Sequence, residues 1–271
     1  MDLWSAPVRD VRPLAREERA DLVVLVDGLT ADEWLAPSAA PGWRVKELAL
    51  HVLQDDLWWL STHRDCDRAG ILDMSDRDRF VRLLAERNQE WVDGARALSG
   101  RVITDLLAWS GEQLDRHHVE CDLSTEGWVS WASDGPVPLW FNLAQELTER
   151  WVHQQQMREA VGRVEDHGRY LPDVLRIFVW ALPHQCRVPA EAGAQVAVDL
   201  GSGGSWHLVS DGAGRWALEE GATERPRASL VCTETAAWRW LTGGAVPDGE
   251  WRVEGPGELV EPLRTVRAAI V

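Results

Sequence analysis

The sequence is poor in basic residues, and this shortage excludes two classes of partner. Lysine and arginine together number 28, against 44 aspartates and glutamates, so the formal net charge is −16. Nucleic acids and anionic membrane surfaces are bound through basic protein surfaces. We therefore expect no nucleic acid and no membrane among the partners of this chain.

Long hydrophobic runs are also lacking. Apolar stretches such as IFVWALP are far shorter than the roughly 20 residues that a bilayer-crossing helix needs. The opening segment, MDLWSAPVRD, has neither the basic start nor the apolar centre of a secretion signal. These features predict a cytoplasmic protein.

Cysteine is scarce and widely scattered. The four cysteines form no C-x-x-C pair; they are Cys66, Cys121, Cys186 and Cys232. Isolated thiols in a cytoplasmic protein are usually reduced. We interpret all four as small, mostly apolar residues rather than as disulfides or zinc ligands.

The first 162 residues have the pattern of a helical domain. Apolar residues recur at helical spacing in several segments, and Gly162 is placed as the residue that ends the last of them. Loop-forming residues such as Pro37, Pro41 and Gly42 interrupt the pattern. The predicted helices cover about 8–29, 44–64, 78–98, 101–117 and 139–161.

After Gly162 the pattern changes to mixed helix and strand. The segment RYLPDVLRIFVWALPHQC predicts one helix bounded by Pro172 and Pro183. Four β-rich runs separated by glycine turns follow: QVAVDL, SWHLVS, RWALEE and RASLVCT. Two helices, at about 235–242 and 258–270, and a strand at 250–253 complete the pattern.

The fold class predicted from this organisation is α plus α+β. We expect a helical domain over 1–162, a connecting helix over 163–185 and a C-terminal α+β domain over 186–271.

Two histidines and one glutamate are candidate metal ligands. Glu149 and His153 are four residues apart in a predicted helix, so both project from one face. His51, from the second predicted helix, would complete a 2-His-1-carboxylate set, which binds a divalent metal and leaves positions open for a reactant. The spacing also arises by chance, and a lone histidine such as His51 on this helix face is more often a hydrogen-bonded core residue. Glu146 is a rival carboxylate; we favour Glu149 for its spacing from His153.

Other polar residues are candidate neighbours of this site. Asp55, one turn after His51, could accept a hydrogen bond that fixes the imidazole tautomer. Arg150 follows Glu149 directly and should face solvent or the second domain. His63, His117 and His118 lie in segments without a matching partner. The residues expected to support the ligands or line a pocket are Asp55, Trp58, Asn88 and Gln156.

Three segments resemble a known family. PGWRVKELALHV and ELTERWVHQQQMREAVGR are similar to the two helical motifs of mycothiol-dependent maleylpyruvate isomerase-like proteins, in the DinB-like superfamily. GELVEPLRTVRAAIV resembles the end of their C-terminal domain. The resemblance implies an N-terminal DinB-like four-helix bundle followed by a small sterol-carrier-like α+β domain. It also implies a divalent metal, usually zinc, held by His51, Glu149 and His153.

Two departures from the family pattern bear on the substrate. Gln156 stands where many relatives carry Asp or His. Gly244 stands where many relatives carry an arginine that helps to hold an anionic substrate or thiol. Both weaken the expectation that maleylpyruvate itself is the substrate.

The function predicted from these features is a metal-dependent thiol S-transferase or thiol-assisted isomerase. A metal-bound thiolate would add to a small electrophilic substrate, and the resemblance implies mycothiol as the thiol. One alternative is a hydrolase that uses metal-bound water. Another is a non-catalytic ligand-binding or regulatory protein with a structural metal, which a fourth protein ligand would favour. The electrophile, the choice of metal and the choice between monomer and homodimer stay open.

Overall fold

The computed structural model describes residues 2–73, 76–164, 167–247 and 249–268. These residues form two compact units. Of these described residues, those within 10–122 and 149–164 form the helical unit, and those within 2–9, 123–148, 167–247 and 249–268 form the sheet unit. The units do not follow the order of the chain, because helix α6 (Leu139–Ala160) begins in the sheet unit and ends in the helical unit.

The helical unit confirms the predicted helical pattern of the first part of the chain. A one-turn helix, α2, lies in the segment predicted as a loop, where Thr30 and Glu33 cap each other's backbone N–H groups. Helix α3 continues into a π-helical turn, Leu60–Arg64. The helices that begin and end in this unit are α1 (Arg12–Asp27), α2 (Ala31–Trp34), α3 (Val45–Trp59), α4 (Arg77–Ala95) and α5 (Gly100–Glu120).

The C-terminal part of helix α6, which belongs to the helical unit, is buried. Every residue from Trp151 to Arg158 is buried, so this part of the helix has no solvent-facing side. Around it, α1 and α3 each pack against α5, and α3 also packs against α4. Leu22, Leu48 and Ile103 contribute to the apolar core. Polar side chains on α6 are therefore held inside the protein, where each needs a partner.

The sheet unit contains a five-stranded sheet in the order β5-β4-β3-β6-β7. All neighbouring pairs are antiparallel except β3 and β6, which are parallel. The predicted strands are confirmed as β3 (Gln195–Asp199), β4 (Ser205–Ser210), β5 (Trp216–Glu220), β6 (Ala228–Cys232) and β7 (Trp251–Glu254). A separate short pair joins β1 (Glu126–Gly127) and β2 (Val137–Pro138). The helices are α7 (Leu171–Phe178), α8 (Ala181–Gln185), α9 (Glu234–Leu241) and α10 (Gly257–Val260).

Two predicted helices of the sheet unit were wrong, and proline explains both. The single helix expected between Pro172 and Pro183 is divided into α7 and α8, with Pro183 in the first turn of α8, where its missing N–H is not needed. The helix expected over 258–270 is only α10 followed by a 3-10 turn, Glu261–Thr265, because Pro262 cannot continue the α-helical hydrogen bonding. Residues 269 and 270 of that prediction lie outside the described residues.

Within the described ranges, none of the helices combines the length and hydrophobicity that crossing a bilayer requires.

Candidate metal centre

The structure brings the three predicted ligands together in the helical unit. One ligand atom each from His51, Glu149 and His153 lies within 4.8 Å of the others. The two imidazole centroids are 4.8 Å apart and nearly perpendicular, and His153 Nε2 is 3.5 Å from Glu149 Oε1. No further His, Cys, Asp or Glu of the described residues, Glu146 included, joins this cluster.

Local structure at the start of α3 places His51. The Glu47 carboxylate accepts a hydrogen bond from the Arg44 backbone N–H at 3.0 Å, which fixes the first turn of the helix. The Trp43 ring packs on the His51 imidazole with centroids 5.2 Å apart, and Trp43 itself donates to Gln89 Oε1 at 3.0 Å. Because α3 is anchored just before its first turn, His51 is held two turns later against α6.

The two imidazoles are deeply buried, and burial favours the neutral form of His51. His51 is 5% exposed and His153 is 1% exposed. Burial lowers the pKa of His51 well below its usual value, and the neighbouring His153 lowers it further. A neutral imidazole has a free lone pair at one ring nitrogen, which is the form that binds a metal.

The donor set fits a divalent cation. His51 Nδ1 and His153 Nε2 are buried and have no hydrogen-bond partner among the described residues. Leaving such atoms without a partner costs about 1–3 kcal/mol each. A bound ion would remove this cost at His153 Nε2, which lies 3.5 Å from Glu149 Oε1. Two imidazoles and one carboxylate are ligands that zinc accepts at a site with an open position.

Asp55 and Gln156, two residues expected near the ligands, each lie beside one nitrogen of a candidate ligand. His153 Nδ1 lies 2.8 Å from Gln156 Oε1, and His51 Nε2 lies 3.5 Å from Asp55 Oδ2. The His153 ring therefore turns Nδ1 toward a side-chain oxygen and leaves Nε2, which has no hydrogen-bond partner, 3.5 Å from Glu149 Oε1.

Trp58 and Asn88, the two candidate pocket residues, lie on α3 and α4. Trp58 is partly exposed, and the Arg87 guanidinium lies 6.0 Å from its ring centroid. Asn88 Oδ1 accepts a hydrogen bond from Gln54 Nε2 at 3.1 Å. Gln54 was not among the predicted residues, although its position one turn after His51 is a signal that could have identified it.

Arg150 was expected to face solvent or the second domain, and that prediction was wrong. Its guanidinium pairs with the Glu18 carboxylate of α1, which is fully buried, and donates to the Ala15 carbonyl oxygen at 3.1 Å. The physical reason is that α6 packs against α1 at this position, where the Arg150 side chain is only 11% exposed.

The histidines expected to lack partners are brought together at the other end of α3. The His63 ring stacks on Trp59 with centroids 4.1 Å apart, and His118 meets the same indole edge-on at 5.6 Å. His117 Nε2 is 3.6 Å from Cys121 Sγ. Burial lowers the pKa of all three histidines, and that of His118 falls to about 3.

Comparison with known proteins identifies similar sequences and similar folds. A family profile described as the mycothiol maleylpyruvate isomerase N-terminal domain matches residues 15–158, more than half of the chain. The crystal structure of a mycothiol-dependent maleylpyruvate isomerase is similar at 16% identity, and that of its mutant with one histidine replaced by alanine at 15%.

Both structural alignments have a TM-score of 0.59 and cover 94% of this chain and 98% of the other. At this identity the likeness shows a shared fold, with a helical N-terminal region and a mixed helix-and-sheet remainder. No curated protein sequence matches the chain.

Proposed function

Since the chain belongs to the mycothiol maleylpyruvate isomerase family, we propose that it is a metal-dependent enzyme that uses mycothiol on a small electrophilic substrate. The reaction is an isomerisation assisted by the thiol or a transfer of the thiol to the substrate. The observation that carries the proposal is the convergence of His51, Glu149 and His153 within 4.8 Å. The relatives of known structure are named as mycothiol-dependent isomerases, which supports the choice of thiol.

Zinc is the cation that we propose for this site, since its usual ligands include imidazole and carboxylate. When bound, the cation would stabilise the deprotonated sulfur of the thiol and so supply a strong nucleophile at neutral pH.

The residues of the chain prepare this site in three ways. Burial keeps His51 neutral, so that no proton has to leave before its lone pair is used. Glu149 supplies one negative charge, which offsets part of the charge of a divalent cation. Asp55 Oδ2 lies 3.5 Å from His51 Nε2, and Gln156 Oε1 lies 2.8 Å from His153 Nδ1. These contacts support orientation of the ligands before the cation binds.

A set of three protein ligands supports a catalytic site over a structural one. Structural zinc sites are closed by four protein ligands, whereas catalytic sites keep one position for a reactant. Within the described part of the chain the cluster has three such residues.

We propose a small electrophile as the substrate and do not specify maleylpyruvate. Gly244, which many relatives replace with arginine, has no side chain to hold an anionic group, and its N–H donates to the Arg239 carbonyl oxygen at 2.7 Å.

We also propose that α1, α3, α5 and α6 form a DinB-like four-helix bundle and that the five-stranded sheet belongs to a sterol-carrier-like module. The mixed sheet with α7 and α9 supports the second assignment.

The experiment that tests the function combines metal analysis with a thiol assay. The purified protein is analysed for bound metals and then incubated with mycothiol and a panel of small electrophiles that includes maleylpyruvate. We expect mycothiol-dependent product formation that a chelator abolishes and added zinc restores. Product formation without thiol, with heavy oxygen incorporated from labelled water, would instead establish a hydrolase. Tightly bound metal with no turnover of any substrate would favour a binding protein.

A further inference from the structure

The three consecutive glutamines of α6 make different contacts, although they are the same residue type. Gln154, Gln155 and Gln156 are all buried. Gln154 Nε2 donates to the backbone and the carboxylate of Glu18, at 3.2 and 3.1 Å. Gln156 Oε1 lies 2.8 Å from His153 Nδ1. One of the three amides is thus directed at a candidate ligand.

The contact between Gln156 and His153 determines which ring nitrogen carries the proton. A neutral imidazole has one N–H and one lone pair, and an amide oxygen can only accept a hydrogen bond. With Gln156 Oε1 at Nδ1, the proton belongs on Nδ1 and the lone pair on Nε2. His153 Nε2 is buried without a partner and lies 3.5 Å from Glu149 Oε1, so the lone pair is directed into the cluster.

We propose that Gln156 is a positioning residue that holds His153 in its Nδ1–H tautomer, with Nε2 ready to bind a metal. This inference rests on the metal site of the proposed function and adds to it a residue that acts on the ligand in the absence of metal. Without this hydrogen bond the His153 ring would have no such constraint, and its rotation would turn Nδ1 into the cluster. The Gln156 hydrogen bond fixes both the proton and the ring orientation before binding. Partners of this kind typically change metal affinity by about 10–100-fold when they are removed.

The amide of Gln156 gives a neutral contact where a carboxylate could give a charged one. A carboxylate facing Nδ1–H would make the imidazole a stronger donor to the metal. Gln156→Glu should therefore retain the Nδ1–H tautomer and bind metal at least as tightly as the native protein. Gln156→Leu keeps a similar volume and removes the acceptor.

The first test measures the tautomer directly in metal-free protein. Long-range proton–nitrogen correlation spectra of the isotopically labelled chain, at a pH where imidazoles are neutral, distinguish Nδ1–H from Nε2–H. We expect His153 as Nδ1–H in the native protein and in Gln155→Leu, which removes a buried amide that is not hydrogen-bonded to His153. In Gln156→Leu the Nδ1–H form should lose its dominance. An Nε2–H tautomer for His153 in the native protein would overturn the proposal, and this measurement needs no variant to fold.

The second test measures zinc affinity by competition with a chelator. We expect Gln156→Leu to bind zinc about 10–100-fold more weakly, Gln155→Leu to be unchanged and Gln156→Glu to retain the native affinity. An equal loss in both leucine variants would overturn the assignment, since it would reveal a general effect of removing a buried amide. Neither test requires turnover. A protein with the expected tautomer and affinities but no thiol chemistry would contradict the proposed function and leave the role of Gln156 intact.

Discussion

Gln154 on α6 holds Glu18 on α1 at two points, through Nε2 contacts of 3.2 Å to the backbone oxygen and 3.1 Å to the carboxylate. Arg150, one turn earlier on α6, pairs with the other oxygen of the same carboxylate. These two residues follow the candidate ligands Glu149 and His153 by one position each. Successive side chains on a helix are offset by roughly 100°, so these bonds to α1 fix the rotation of α6 and with it the direction of the ligands.

The buried Glu18–Arg150 pair predicts a strong effect of removing one partner. Glu18→Ala should destabilise the fold by about 3–5 kcal/mol, because it removes the fully buried carboxylate that pairs with the largely buried Arg150 guanidinium. The midpoint of urea unfolding measures the change. The double variant Glu18→Leu with Arg150→Met removes both charges and should recover most of the loss. If the double variant is as unstable as Glu18→Ala, the pair does not act as an ion pair.

The ligand set predicts which carboxylate of α6 matters for metal binding. Glu149→Gln and His153→Ala should each weaken zinc binding by at least the roughly 10–100-fold that loss of a supporting contact costs, because each removes a donor itself. Glu146→Gln is the matched control on the same helix and should leave the affinity unchanged. Zinc retained after dialysis measures the outcome, with circular dichroism to show that the helices persist. Greater zinc loss in Glu146→Gln than in Glu149→Gln would transfer the ligand role to Glu146.

The site could be predicted from sequence to the extent that it depends on local spacing. Glu149 and His153 were identified because i,i+4 spacing on one helix is visible in the chain. Gln156 was named because it follows His153 by three residues, at a position where many relatives carry Asp or His. Glu18 could not be identified, because a charged residue in the first half of a helix is normally solvated and only the packing of α1 against α6 reveals its burial.

The limits of the fold prediction also have physical causes. His63 and His118 meet at Trp59 only because α3 and α5 pack together, and no pattern in either segment encodes that contact. The strands were predicted because alternation and glycine turns are local signals. Pro183 is compatible with a helical first turn, so its presence did not mark a helix end. The division of the chain at residue 162 stays a prediction.

Gly94 lies at an exposed helix position and Gly111 at a packed one, so replacement by alanine should change the stability of the protein in opposite directions. A Cβ at Gly94 in α4 meets nothing within 4 Å, so Gly94→Ala should stabilise the protein by up to about 1 kcal/mol through helix propensity. A Cβ at Gly111 in α5 would lie 2.9 Å from Cγ and Cδ of Arg19, whose guanidinium is bound to the buried Asp56 carboxylate. Gly111→Ala should therefore cost about 1–2 kcal/mol, because overpacking exceeds the helical gain. Urea unfolding of both variants checks the signs, and stabilisation by Gly111→Ala would contradict the close packing of α5 on Arg19.

The buried histidines predict a loss of stability in acid. Burial, with the neighbouring charges of His117 and Arg150, lowers the pKa of His118 from 6.5 to about 3. Between these values the unfolded chain binds a proton at His118 and the folded chain does not. The free energy of unfolding should therefore fall as the pH drops from about 6.5 towards 3, by at most about 1.4 kcal/mol per pH unit for this group. His63 and His117, whose pKa values burial also lowers, add to the effect in the same direction.

The contribution of His118 can be isolated from that of the carboxylates, which titrate in the same range. His118→Phe keeps a ring beside Trp59 but removes the titrating nitrogen. Urea unfolding of both proteins at a series of pH values from 7 to 4 gives two stability curves, and their difference reports His118. We expect the variant to lose stability less steeply below about pH 6.5, with the gap widening as the pH falls. Parallel curves would mean that His118 is protonated as readily in the folded protein as in the unfolded chain, which is incompatible with its burial against Trp59.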